Sequence, residues 1–71
     1  MKRVNVQLVN KNILRKLLEN VQIVIVENKK DVMVFESDVV TWKLVNGDLR
    51  LTTEEFIDYI FCHTSRKIRV Y

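Results

Sequence analysis

Few side chains in this sequence can do chemistry, and they are poorly spaced for it. Cys62 and His63 are the only thiol and imidazole, and they are adjacent on a segment that reads as a helix. Helical neighbours point about 100° apart and do not face each other, so the two make a poor nucleophile and base. Cys62 reads as a small packed residue and His63 as a surface or boundary imidazole. Glu54, Glu55 and Asp58 suggest a carboxylate cluster for a metal. All three fall in the first turns of a helix, where negative charge offsets the helix dipole. Ser37 and Ser65 have no base within predicted reach. Gly47 is the only glycine, which excludes a phosphate-cradling loop. One thiol and one imidazole exclude an internal disulfide and the usual zinc site, and point to a reducing compartment. The expectation is a protein that is not an enzyme, with no metal, no cofactor and no small-molecule substrate.

Charge carries more information. Residues 1–16 hold Lys2, Arg3, Lys11, Arg15 and Lys16 without an acid. Residues 66–71 add Arg66, Lys67 and Arg69, again without one. All nine acids lie between, so the net charge of +3 conceals a strong asymmetry. If the first and last strands are neighbours, Arg3, Asn5 and Gln7 stand beside Lys67, Arg69 and Tyr71. Cations, amides and one aromatic in that arrangement suit a phosphate backbone with a stacked base, or an acidic partner. Arg15 and Lys16 on the first helix extend the candidate surface.

These residues need elements to hold them. Arg3 to Val9 alternates, with Val4, Val6 and Leu8 expected inward and Arg3, Asn5 and Gln7 outward. Asn10 or Asn12 caps a helix reaching about Asn20, with Ile13, Leu14, Leu17, Leu18 and Val21 as its apolar stripe. Val21–Val26 and Val32–Phe35 are apolar on both faces and read as strands, the first of them interior, joined by a polar turn at 27–31. Asn46-Gly47 between Val39–Val45 and Asp48–Leu51 predicts a hairpin with a type I′ turn. Its register opposes Val45 to Asp48, Leu44 to Leu49, Lys43 to Arg50 and Trp42 to Leu51. Val40, Trp42, Leu44, Leu49 and Leu51 then share a face. Thr52 and Glu55 form a capping box, flanked by a Leu51–Phe56 staple, for a helix reaching about Thr64 and burying Phe56, Ile57, Ile60 and Phe61. Arg66 to Tyr71 alternates again, with Ile68 and Val70 inward.

The order β-α-β-β-β-β-α-β describes one small α+β domain spanning 1–71, with a mostly antiparallel sheet and two helices. It resembles the ferredoxin-like split βαβ arrangement, with an added hairpin. The start, Arg3–Val9 followed by a helix, is similar to that of ribbon-helix-helix repressors. That family continues with a second helix, whereas Val21–Val26 is a poor helix former.

A hydrophobic fraction of 48% with 30% charged residues excludes a disordered chain. Alanine and proline are absent, while Lys, Asn and Ile are plentiful. This pattern of an AT-rich gene suits an accessory protein of a phage or mobile element. The longest strongly apolar run, Val21–Val26, is far too short to span a bilayer, and no signal-peptide core follows Lys2-Arg3. No membrane association and a cytoplasmic location are therefore expected. The surplus of apolar strand surface calls for cover, from helices on both faces, from a second copy in a homodimer, or from another protein. The leading expectation is a binding or accessory protein acting through protein contact. The alternative is a small nucleic-acid-binding protein using the basic sheet face.

Overall fold

Side-chain parity along each strand decides which residues reach the core. A computed structural model describes residues 2–27, 31–63 and 67–71, with the backbone alone at His63. Its elements are β1 (Lys2–Asn5), a 3-10 turn (Val6–Leu8), α1 (Lys11–Leu18), β2 (Ile23–Val26), β3 (Asp31–Glu36), β4 (Thr41–Leu44), β5 (Arg50–Leu51), α2 (Thr53–His63) and β6 (Lys67–Val70). Residues 28–30, which hold most of the expected polar turn, lie outside the described residues. So do Ser65, Arg66 and the side chain of His63.

The strands form one sheet in the order β1-β6-β2-β3-β4-β5, with every neighbouring pair antiparallel. The first and last strands are neighbours, which meets the condition set for a merged basic surface, and β2 is interior, as its sequence suggested. β6 lies between β1 and β2, so β1-α1-β2 is a split βαβ unit. The run β2-β3-β4-β5 supplies more strands than a four-stranded ferredoxin-like sheet holds.

Val4, Ile68, Val70, Val24, Val26, Met33 and Trp42 all point to one side of this sheet and are buried. There they meet Leu14 and Leu18 of α1 and Phe56, Ile57 and Ile60 of α2 in a single core. Trp42 stands between Phe35 and Phe56, with ring centroids 5.1 and 4.9 Å away, and its indole N–H donates to Thr53 Oγ1 at 3.2 Å. Buried Trp commonly needs such a polar outlet. Both helices therefore cover the same face of the sheet.

Local capping explains the helix starts. Asn10 Oδ1 accepts the Ile13 N–H at 2.8 Å. Glu55 Oε1 accepts the Thr52 N–H at 2.9 Å, and Thr52 Oγ1 accepts the Glu55 N–H at 3.2 Å, which completes the expected capping box.

Several expectations need correction. β1 stops at Asn5 because the Asn5 side chain accepts the Gln7 N–H at 3.0 Å, drawing the chain into a 3-10 turn instead of a longer strand. Leu8, expected inward, is consequently 80% exposed. α1 ends at Leu18, and Ile13 at the edge of its stripe is half exposed. β4 begins at Thr41, leaving Val40 exposed in the preceding turn with φ at 54°, a region that β-branched residues rarely occupy. Cys62 is exposed because it lies off the Phe56–Ile57–Ile60 face of α2.

The hairpin keeps its predicted register, Trp42 opposite Leu51 and Lys43 opposite Arg50, but not its predicted turn. Gly47 does not have positive φ, which type I′ requires. Instead a four-residue loop, 45–48, is closed by Leu44 N–H to Leu49 O at 2.9 Å and Gly47 N–H to Leu44 O at 3.3 Å. Widening a loop by one residue on each side leaves the register of the strands unchanged.

Candidate functional site

With both helices on one side, the other face of the sheet has no cover among the described residues. Its centre is an aliphatic block in which Ile23 opposes Val34 and Ile25 opposes Val32. All four are half-buried and none packs against the core. Lys43 opposes Val34 on one flank, and beyond it Arg50 Nε donates to Glu36 Oε1 at 3.0 Å. On the other flank Arg69 opposes Ile25 and Arg3 opposes Arg69.

Two arginines side by side repel, and Glu27 resolves the conflict. Its carboxylate lies 3.3 Å from Arg3 Nε and 3.5 Å from Arg69 Nη2. Adjacent strands bring the three together, since the Glu27 N–H donates to Lys67 O at 3.2 Å. Two further polar atoms on this face, Arg69 Nε and Thr41 Oγ1, are shielded from water without a hydrogen-bond partner among the described residues. Such groups carry a desolvation cost of about 1–3 kcal/mol each.

The eight residues expected to form a basic surface divide into separate places. Arg3 and Arg69, and Asn5 and Lys67, are directly opposed pairs on the uncovered face. Gln7 is exposed in the 3-10 turn, beyond the end of the strand. Arg15 belongs to the helix layer, where it binds Glu54. Lys16 and Tyr71 line a shallow groove between α1 and the β1–β6 end of the sheet. Sequence reasoning joined these sets because charge alone does not show which side of a sheet a helix occupies. It also missed Glu27, which reads as part of a polar turn until the β2–β6 pairing is known.

The three carboxylates considered for a metal have structural partners. Glu54 is held by Arg15, whose guanidinium keeps its carboxyl below the ordinary value. Asp58 binds Lys11 Nζ at 2.8 Å, raising the Lys11 ammonium above its ordinary value. Glu55 is engaged in the cap. Tyr59 donates to Asp31 Oδ2 at 3.2 Å, and its phenol is raised by burial and by that carboxylate. Among the described residues no group of three His, Cys, Asp or Glu side chains could hold a metal ion. No helix among them is long and apolar enough to cross a membrane.

Comparison of the chain with protein-family models, with curated proteins and with solved structures finds no match.

Proposed function

We propose that this chain is a non-enzymatic binding protein acting through protein–protein contact, with the uncovered sheet face as its contact surface. The observation that carries this reading is the block of Ile23, Ile25, Val32 and Val34 at the centre of that face, with charged side chains around it. An apolar centre with a polar rim is the usual anatomy of a protein interface. A second copy of the chain is the simplest cover, because a two-fold axis matches one aliphatic block with another. The alanine- and proline-free composition fits an accessory factor of a phage or mobile element. A reducing, cytoplasmic setting suits its single cysteine.

A second reading, nucleic-acid binding, draws on the adjacent Arg3, Arg69 and Lys67. It is the weaker of the two. Glu27 offsets the two arginines, and the centre of the face offers aliphatic side chains where sheet-based RNA readers present aromatics.

Light scattering at micromolar concentration, on the wild type and on Ile25→Thr/Val32→Thr, tests the first reading. Threonine keeps the β-branched shape, so the fold survives while the apolar centre is lost. The expected result is a dimer that the double variant converts to monomer. A wild type that stays monomeric removes the homodimer. A mobility shift of an oligonucleotide, abolished by Lys67→Glu/Arg69→Glu and falling steeply with salt, favours the second reading instead.

A further inference from the structure

A different surface lies at the edge of the sheet, away from the uncovered face. β1 is an edge strand. In β6, Tyr71 exchanges backbone hydrogen bonds with the β2 side, and Lys67 O accepts from Glu27. Alternation then leaves Ile68 and Val70 to bond β1 through Val4 and Lys2. The backbone N–H and C=O of Arg3, with the N–H of Asn5, therefore point away from the sheet.

Beside this free edge the chain exposes aliphatic surface. Leu8 is 80% exposed and Ile13 is 51% exposed. With Val9 and Leu17 they form one wall of a groove whose other wall is β1 itself. A second groove on the same flank of α1 runs from Lys2 to Lys16 and Tyr71. Among the described residues no acidic side chain lines either groove. Lys2 and Lys16 are exposed and have no ion-pair partner among the described residues.

We infer that this edge accepts an acidic, extended segment of a partner protein, which adds to β1 as a further strand. Backbone pairing at Arg3 aligns the segment. An aliphatic side chain of the segment enters beside Leu8 and Ile13, and its carboxylates meet Lys2 and Lys16. Charge selects this occupant over a second copy of the chain. Edge-to-edge pairing of two copies brings Lys2 and Lys16 against their own equivalents with no acid among the described residues to offset them, an arrangement that edge lysines ordinarily prevent. Nucleic acid meets the charge requirement but not the aliphatic one, and Tyr71 is the only aromatic among the described residues that line either groove. The inference does not depend on the sheet-face reading.

The test is a titration of the 15N-labelled full chain with a synthetic peptide of Val-Glu-Glu repeats, with Val-Lys-Lys repeats and oligothymidylate as controls. The expected result is saturable shifts at the amides of Arg3, Asn5, Leu8, Ile13 and Leu17 with the acidic peptide alone. Lys2→Glu/Lys16→Glu, two substitutions at exposed positions, should weaken binding roughly tenfold. Arg3→Pro removes an outward N–H at a position where an edge strand tolerates proline, and should weaken binding well beyond Arg3→Gln. Absence of saturable shifts overturns the inference, as do shifts confined to Ile23 and Val34. Stronger binding of oligothymidylate at the same amides overturns it in favour of nucleic acid. Equal affinity of Arg3→Pro and Arg3→Gln overturns strand addition. If Arg3→Pro lowers the melting temperature, unchanged affinity in the lysine variant is decisive against the inference.

Discussion

Arg15 in α1 grips Glu54 in the first turn of α2 at two points, Nε at 2.5 Å from Oε2 and Nη2 at 2.7 Å from Oε1. The same guanidinium donates to Asn12 Oδ1 at 2.6 Å, so it is held in position within its own helix. One turn away on each helix, Lys11 and Asp58 repeat the pairing. The two helices that share the core of this small sheet are thus tied together above it.

This pair has a signed pH dependence. Arg15 lowers the carboxyl of Glu54 in the folded state, so the unfolded chain binds the proton at higher pH than the folded one. The stabilisation is complete above the unfolded value and is lost as pH falls through the folded one. Urea unfolding across the acidic range should show stability decreasing with pH, and Glu54→Gln should flatten part of that slope. An unchanged slope in the variant means the pair contributes nothing in solution.

At the alkaline end the sign reverses. Burial, then Asp31, raises the Tyr59 phenol above its ordinary value. An unfolded chain then loses this proton first, so stability falls as pH rises through the unfolded value of about 10 and on to the folded one. Tyr59→Phe should reduce that alkaline loss in thermal melts, although Lys11, also raised, contributes in the same direction.

The turn before β4 contains a removable strain. Val40 has φ at 54° and is exposed, so its side chain gives up little packing there. Val40→Gly or Val40→Asn should raise stability by about 1 kcal/mol, measured as a higher urea midpoint with an unchanged slope. A loss of stability indicates that Val40 makes contacts worth more than its strain.

Gly47 is needed for space, not for a left-handed backbone. A Cβ there would come within 2.9 Å of Leu44 Cδ2, the movable end of a side chain. Gly47→Ala should therefore cost under about 1 kcal/mol, less than alanine normally costs at a positive-φ turn position. A larger loss in chemical denaturation would indicate the type I′ turn.

Removal of the α2 cap has a predictable cost. Thr52→Ala deletes the acceptor for the Glu55 N–H and should lower stability by about 1 kcal/mol. Thr52→Ser should restore most of it. The loss is a sizeable fraction of the roughly 5 kcal/mol that holds a domain of this size.

Features that depend on residues close in sequence were legible without a structure. The capping box needs only Thr52 and Glu55, the α1 cap only Asn10 and Ile13, and the hairpin register only the centre of its loop. Alternation in Arg66–Tyr71 correctly placed Ile68 and Val70 in the core. Failures came where a local polar group competed with a longer pattern. Asn5 and Gln7 ended β1 two residues before Gln7 could take its expected place on the sheet, leaving Leu8 exposed.

The candidate surfaces depend on contacts between residues far apart in the chain, and there pattern is blind. Nothing about Val21–Val26 says which of its faces the helices will cover, because both are apolar. Packing α1 and α2 against the same side buries Val24 and Val26 and leaves Ile23 and Ile25 to whatever covers the sheet. Likewise, the charges of Arg3, Glu27 and Arg69 are plain in the sequence, but their attraction acts over a few ångströms and requires β1, β6 and β2 to be neighbours first. Local order followed from side chains a turn or a hairpin apart. Which apolar face stays open, and which cations stay unpaired, followed from the order of the strands.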